Sequence, residues 1–161
     1  MRVGRLLMAA HLTVAAAESC TGGLLTSRLT DVAGSSAYVK GSVVSYTNEV
    51  KMEILGVEAE LLRGFGAVSA PVARTMAEQV RRRLDADLGV GITGLAGPGG
   101  GTPEKPVGLV FIAVAGAFGT NVRRFQFSGD RGAVKEEAVA AALGMIEEYV
   151  AKGCGFEEMS Q

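Results

Sequence analysis

The segment from Leu12 to Gly34 constrains the fold more than any other, because its hydrophobic period changes partway along. Leu12 to Glu18 (LTVAAAE) is a short apolar run typical of a buried strand. After the turn Ser19–Gly23, apolar residues recur at helical spacing at Leu24, Leu25, Leu29 and Val32. A strand that leads through a tight turn directly into a helix is a building unit of α/β folds.

The same alternation continues to the end of the chain. Strands are predicted at Gly41–Tyr46, Leu88–Thr93, Val107–Ala115 and Val122–Phe127. Helices are predicted at Met1–His11, from Thr47 or Asn48 to Leu55, at Glu58–Arg63, from the N-cap Ser69 to Leu84, and at Asp130–Lys152. The last two strands are joined by the glycine-containing turn GAFGTN, which predicts a hairpin. We therefore expect one domain over residues 1–161, an α/β three-layer α/β/α sandwich whose mixed sheet contains parallel pairs and an antiparallel hairpin.

Composition excludes several classes of function. Sixteen Lys and Arg against 17 Asp and Glu leave a formal charge of −1, so no nucleic-acid partner is expected. The run Arg81-Arg82-Arg83 is interpreted as a solvated helix end. Two cysteines, Cys20 and Cys154, and one histidine cannot supply a four-ligand zinc site, and we expect no metal or cofactor. No long uncharged apolar stretch is present, which predicts no membrane association and a cytoplasmic location.

Ser19 follows the first predicted strand and has two interpretations. It is a helix cap, a role that Thr21 could equally take, or it is a nucleophile on a tight strand-to-helix turn. In the second case the backbone N–H groups of Thr21, Gly22 and Gly23 are available to an oxyanion. Cys20 is itself either a nucleophile at a helix N-terminus or a small buried apolar residue.

A serine nucleophile requires a base, and the sequence narrows the choice. His11 is the sole histidine, and it precedes the first strand, at the opposite end from Ser19. A lysine kept neutral by desolvation is the remaining option. Lys51 lies five residues after Tyr46, whose hydroxyl could relay or orient the proton. Lys105 is the alternative base or a phosphate contact, and it lies in the glycine-rich loop that spans residues 94–108.

Two further segments have open interpretations. The first part of the glycine-rich loop, Gly94–Gly101, lacks the Gly-Lys-Ser/Thr of a phosphate-binding P-loop. Three interpretations stay open: a mobile connection, a lid, or a nest of amides for a phosphate. Arg131 stands at the start of the last helix, where the helix dipole disfavours a cation. An anionic ligand or a salt bridge accounts for it, and the ligand is favoured.

Seven ordered segments between about Gly4 and Val150 resemble the CinA C-terminal domain family of nicotinamide-nucleotide amidases. They are AESCTGG (17–23), DVAGSS (31–36), VSYTNEVK (44–51), GAVS (66–69), GITGLAGP (91–98), EKPVG (104–108) and FSGDR (127–131). The resemblance implies hydrolysis of nicotinamide mononucleotide to nicotinic acid mononucleotide and ammonia, without a metal or cofactor, by a homodimer.

The resemblance also implies roles for individual residues. Ser19 is then the nucleophile and Lys51 the general base, with Tyr46 beside it. Thr93 and Arg131 bind or orient the substrate, a small-molecule nucleotide. In the resulting hypothesis Arg131 and the loop holding Gly94, Gly97 and Lys105 bind the 5′-phosphate. The alternatives are a pyridine-nucleotide-binding module without catalysis and a regulatory domain linked to competence or DNA damage.

Overall fold

A computed structural model gives the structure of residues 1–158, with side chains described up to residue 153, so the side chain of Cys154 lies outside the described residues. The elements in chain order are α1 (Arg2–Ala9), β1 (Val14–Glu18), α2 (Leu24–Thr30), a short 3₁₀ turn (Ser35–Ala37), β2 (Val39–Val44), α3 (Asn48–Leu55), α4 (Ala59–Phe65), α5 (Ala70–Arg83), β3 (Leu88–Gly94), β4 (Leu109–Gly116), β5 (Gly119–Gln126) and α6 (Arg131–Glu158).

The five strands form one mixed sheet in the order β2-β1-β3-β4-β5. β1 is parallel to both β2 and β3, whereas β4 is antiparallel to β3 and to β5. Glu18, the last residue of β1, lies opposite Val44 of β2 and Ile92 of β3. The carboxyl ends of the three parallel strands therefore meet at one edge of the sheet, as the α/β interpretation of the sequence requires.

Helices cover both faces of the sheet, which confirms the predicted sandwich. The strands alternate their side chains between the two faces. Val14 and Ala16 of β1 belong to the core beneath α1, α2 and α6, and Ala15 and Ala17 belong to the core beneath α3, α4 and α5. Small alanines on both faces of β1 let both helical layers approach closely.

Helix α5 lies unusually close to β3 because two glycines of that strand face it. A Cβ at Gly89 would lie 2.0 Å from the carbonyl oxygen of Ala77, and one at Gly91 would lie 2.4 Å from that of Ala73. Any side chain at these positions would push the helix away from the sheet. Gly89 and Gly91 thus set the distance between the sheet and α5.

Four local expectations differ from the structure. β2 spans Val39–Val44 rather than 41–46, and the hairpin turn is only Ala117 and Phe118, because the ladder extends to the pair Gly116 and Gly119. Ser69 precedes α5, but its hydroxyl donates to the Gly66 carbonyl instead of capping the helix. Neither Ser19 nor Thr21 caps α2, because the carboxylate of Glu18 accepts from its first amides.

Candidate active site

A cavity of about 240 Å³ opens at the carboxyl ends of β1, β2 and β3. Its wall combines the residues after β1 and β2, part of α3, the segment before α5, the loop after β3 and the start of α6. The lining residues are Ser19, Cys20, Tyr46, Asn48, Lys51, Ala67, Val68, Thr93, Gly94, Leu95, Ala96, Gly97, Gly99 and Arg131. Residues from six parts of the chain therefore share one site.

Ser19 is held at the end of β1 by the neighbouring strand. Its N–H donates to the Ile92 carbonyl at 3.0 Å, which continues the β1–β3 ladder by one residue. Its own carbonyl accepts from the N–H of Gly22 at 3.0 Å, which closes the turn towards α2. The residue is only 8% exposed, and its side chain is on the cavity wall.

Lys51 lies on α3 and reaches Ser19 from the neighbouring layer. Thr47 begins the helix, since its hydroxyl oxygen accepts from the Val50 N–H at 3.3 Å. One turn along, the Lys51 Nζ lies 3.0 Å from the Ser19 Oγ and 2.7 Å from the Ser45 carbonyl oxygen. Lys51 is 1% exposed, and burial lowers the pKa of its amine, because an ammonium loses hydration there.

The partners of Lys51 suit a neutral amine. A neutral primary amine has two N–H donors and one lone pair. The Lys51 Nζ donates to the Ser19 Oγ at 3.0 Å and to the Ser45 carbonyl oxygen at 2.7 Å, and the Tyr46 carbonyl oxygen lies at 3.5 Å. If the two carbonyls take both N–H donors of a neutral amine, its lone pair is left for the Ser19 hydroxyl, which is the geometry that a lysine base requires.

Glu18 is a buried carboxylate that the sequence analysis did not identify as part of the site. It is fully buried, and its Oε1 accepts from the Thr21 hydroxyl at 2.7 Å and the Leu25 N–H at 2.8 Å. Its Oε2 accepts from the Thr26 N–H at 3.0 Å and the Thr26 hydroxyl at 2.7 Å. Four donors and the positive end of the α2 dipole stabilise the charge. Glu18 thereby fixes the turn that carries Ser19. The sequence feature that could have identified Glu18 is an acidic residue at the end of an otherwise apolar strand.

Tyr46 and Arg131 form a bridge at the mouth of the cavity. The Arg131 guanidinium donates to the Tyr46 hydroxyl and to the Gly97 carbonyl, both at 2.7 Å. The Tyr46 hydroxyl therefore contacts Arg131, while the main-chain carbonyl of Tyr46 faces Lys51. Both acceptors of Arg131 are neutral, so its charge is not balanced by these contacts.

Thr93 lies on the cavity wall at the end of β3. Its hydroxyl donates to the Ala67 carbonyl at 2.8 Å, which ties the strand end to the segment before α5. Gly94 and Gly97, which follow it, also line the cavity. The glycine-rich loop is anchored at Gly97 by Arg131 and at Lys105, whose Nζ donates to the Phe65 carbonyl.

Four predicted site residues do not line the cavity. Thr21 is buried and bound to Glu18, and the Gly22 N–H is engaged by Ser19. Gly23 lies against Val44, and Lys105 reaches Phe65. Conversely, several lining residues were not predicted as site residues, because they lack a chemical signature in the sequence or were interpreted only as caps and turns: Asn48, Ala67, Val68, Leu95, Ala96 and Gly99.

The structure also describes Cys20, the other candidate nucleophile, and His11, the sole histidine, and both differ from the pair Ser19 and Lys51. Burial raises the pKa of the Cys20 thiol to about 11, so this cysteine is protonated near neutral pH. His11 follows α1 at the amino end of β1, where it lines a different cavity with Arg81 and Asp87. Ser19 and Lys51 are thus the pair in contact at the strand ends.

Two kinds of feature are absent from the part of the chain that the structure describes. No three His, Cys, Asp or Glu side chains among them are grouped so that they could hold a metal ion. No helix in the same part of the chain has the length and hydropathy that a membrane span requires.

Comparison with known proteins gives consistent matches. The family model of the CinA C-terminal domain matches residues 1–150. A CinA-like protein of Mycolicibacterium gilvum is 54% identical over 88% of this chain and 34% of its own length. The chain thus spans about a third of the length of the curated relatives it matches. A CinA superfamily protein of Klebsiella pneumoniae has a TM-score of 0.90 at 35% identity, covering 94% of each chain. The competence/damage inducible protein CihA of Agrobacterium tumefaciens has a TM-score of 0.87 at 40% identity, covering 91% of this chain and 93% of its own.

Proposed function

Because the chain belongs to the CinA C-terminal domain family, we propose that it hydrolyses the carboxamide of nicotinamide mononucleotide to nicotinic acid mononucleotide and ammonia. The observation that supports this most directly is the buried pair of Ser19 and Lys51, with Oγ and Nζ 3.0 Å apart. A serine beside a desolvated lysine is the arrangement used by Ser-Lys acyl-transfer enzymes.

In the first half-reaction, neutral Lys51 takes the proton of the Ser19 hydroxyl as Oγ attacks the carboxamide carbon. The new ammonium is stabilised by the carbonyls of Ser45 and Tyr46, which then accept from a charged donor. When the tetrahedral intermediate collapses, the C–N bond breaks and Lys51 returns the proton to the leaving nitrogen. Ammonia leaves and an acyl-Ser19 ester remains.

In the second half-reaction, water attacks the acyl carbon while Lys51 accepts its proton. The C–O bond to Ser19 breaks and the proton on Lys51 passes back to Oγ. The carboxylic acid that forms loses the second proton of the water to solvent, and the carboxylate product is released. We assign the oxyanion contact to the N–H of Cys20, because this residue follows the nucleophile and lines the cavity. Thr21, Gly22 and Gly23, the donors expected from the sequence, lie outside the cavity lining.

The size and charge of the site are compatible with a nucleotide. A cavity of about 240 Å³ is smaller than typical ligand pockets of about 300–1,000 Å³. It would therefore enclose the pyridine end and leave the ribose phosphate at the mouth. There the two hydrogen-bond acceptors of Arg131, the Tyr46 hydroxyl and the Gly97 carbonyl, are neutral, so its guanidinium can bind the phosphate anion.

The test is ammonia release from nicotinamide mononucleotide by the purified chain and two variants. Ser19→Ala and Lys51→Met should each lower kcat by at least about 10³-fold. Ser27→Ala, at an exposed position of α2, and Lys152→Met, at an exposed position of α6, are matched controls that should retain activity. Nucleotide binding without ammonia release by the wild type would instead support a binding module. Near-normal turnover by Ser19→Ala would refute the covalent mechanism.

A further inference from the structure

We propose that Ser45 is a positioning residue whose side-chain hydroxyl accepts a hydrogen bond from Lys51 when the Lys51 amine is protonated. The inference rests on the proposed function, in which Lys51 is the base that becomes charged in each half-reaction. Its basis is a single atom. Among the side chains that the structure describes, the Ser45 Oγ is the buried oxygen or nitrogen atom without a hydrogen-bond partner.

Packing does not account for a hydroxyl at this position. Ser45 is fully buried, so its Oγ has lost its hydration without gaining a partner, and this destabilises the folded chain. Alanine would fill nearly the same space without that loss. A buried oxygen that is unpaired in the free site therefore indicates a partner that is present at another stage of the reaction.

The backbone places Ser45 on the side of the sheet from which Lys51 enters the site. The Ser45 N–H donates to the Glu18 carbonyl at 2.8 Å, which continues the β1–β2 ladder beyond the end of β2. Alternate residues of an extended chain share a face, so Ser45 follows Val43, which packs against the core beneath α3, α4 and α5. Lys51 lies on α3, and its Nζ is 2.7 Å from the Ser45 carbonyl oxygen. The movement that the proposal needs is a rotation of the serine side chain between staggered positions.

A protonated lysine needs one more acceptor than a neutral lysine. The ammonium has three N–H donors, of which one points to the reacting atoms at Ser19 and one to the Ser45 carbonyl. The third is left with the Tyr46 carbonyl at 3.5 Å, beyond the usual range of about 2.7–3.2 Å. Lys51 is 1% exposed, so water does not readily supply a closer acceptor. The Ser45 hydroxyl meets this demand, and it has no partner while the amine is neutral.

Such a contact favours the ammonium over the neutral amine, so it raises the pKa of Lys51 and opposes burial, which lowers that pKa. Cys20 is the titratable group whose charge acts on Lys51, and its pKa of about 11 keeps it a neutral thiol below that pH. The side chains that α5 contributes to this core are apolar. The other titratable or charged groups on the surrounding elements are bound to α2, lie at the cavity mouth or are exposed: Glu18, Tyr46, Arg131, Glu49 and Glu53.

The first test is the pH dependence of kcat/KM for ammonia release from nicotinamide mononucleotide. Ser45→Ala removes one hydrogen bond to a charged group, so the midpoint of the rise should move to lower pH by about 1–2 units. Ser45→Thr keeps the hydroxyl and should keep the wild-type midpoint. Ser42→Ala is the matched control, because Ser42 pairs with Ala16 on the opposite face of the sheet, and its midpoint should not move. A midpoint does not depend on how much of the enzyme is folded, so loss of structure does not imitate the shift.

The second test, urea unfolding over the same pH range, does not require activity. Below the titration of Lys51, where the native amine is charged, Ser45→Ala should unfold at lower urea than the wild type. Above it, where the amine is neutral and the hydroxyl unpaired, Ser45→Ala should unfold at the same or higher urea. Combined with Lys51→Met, Ser45→Ala should not lower the urea midpoint at any pH.

The outcomes separate the inference from the proposed function. If the pH midpoint of Ser45→Ala equals that of an active wild type, the inference is wrong and the proposed function stands. If the effect of Ser45→Ala on urea unfolding is the same at every pH, the inference is also wrong. If the folded wild type releases no ammonia, the proposed function fails, and the urea measurements alone decide whether Ser45 pairs with the charged lysine.

Discussion

Replacing Gly91 by alanine tests whether the close contact of β3 and α5 holds the core together. A Cβ at Gly91 would lie 2.4 Å from the Ala73 carbonyl oxygen, 2.7 Å from the Ala77 nitrogen and 3.0 Å from the Met76 Cβ. The first two are backbone atoms of a helix and cannot rotate away. Since ordinary contacts begin near 3.4 Å, the helix must retreat by 3.4 − 2.4 = 1.0 Å.

The size of the effect follows from what α5 buries against the sheet. Its larger buried side chains are Val72, Met76 and Val80, each stabilising by about 1.5–3 kcal/mol. A gap of about 0.5–1 Å removes roughly a quarter to a half of the dispersion energy of such contacts. Gly91→Ala should therefore lower the free energy of unfolding by about 2–3 kcal/mol, within the range for overpacked cores. The thermal midpoint should fall by about 4–12 °C.

Urea and thermal unfolding monitored by circular dichroism measure the effect, with Gly144→Ala as the matched control. Gly144 lies in α6, and an added Cβ there meets no heavy atom within 4 Å. This variant should stabilise by about 0.5–1 kcal/mol, because alanine is the better helix former. The steric argument is refuted if Gly91→Ala unfolds within about 0.5 kcal/mol of the wild type.

Two further predictions concern buried ionisable groups of the site. Because burial lowers the pKa of Lys51, kcat/KM should rise with pH to a plateau, with its midpoint below the ordinary lysine value of 10.5. Between these two pKa values the unfolded chain binds more protons, so stability should rise with pH, a slope that Lys51→Met removes. Glu18→Gln places an amide NH₂ against buried donors and should cost about 2–4 kcal/mol in urea unfolding. Glu136→Gln, a half-exposed partner of Arg28, should cost less than about 1 kcal/mol, and equal costs would contradict the capping role of Glu18.

Hydrophobic periodicity, caps and turn residues in the sequence predicted the fold class and each α-helix and strand of the described residues, but not the 3₁₀ turn at Ser35–Ala37. The errors were local. The predicted bounds of β2 were displaced by two residues, and the cap of α2 was assigned to hydroxyls, whereas the Glu18 carboxylate caps this helix. Periodicity indicates which face of an element is buried, but it says little about where an element ends. Glu18 precedes the turn, and its carboxylate reaches the first amides of α2 only because the folded turn brings the helix back to it. The sequence pattern does not show that turn.

The order of motifs along the chain identified the family and placed Ser19, Lys51, Thr93 and Arg131 as candidate site residues. It did not show which atoms meet. Ser19 and Lys51 are 32 residues apart, Thr93 and Ala67 are 26 apart, and Arg131 and Tyr46 are 85 apart. The four candidates do line one cavity, whereas Thr21, Gly22, Gly23 and Lys105 do not.

The sequence by itself therefore determined the layers of the fold and the chemical types available at the strand ends. Tertiary structure alone decided which of these groups are in contact. The Lys51 amine contacts Ser19 because strand order places α3 beside β1, and the Thr93 hydroxyl donates to Ala67 because the segment before α5 lies next to the end of β3. Local patterns arise from neighbouring residues, whereas these contacts depend on strand order and register, which bring distant segments together.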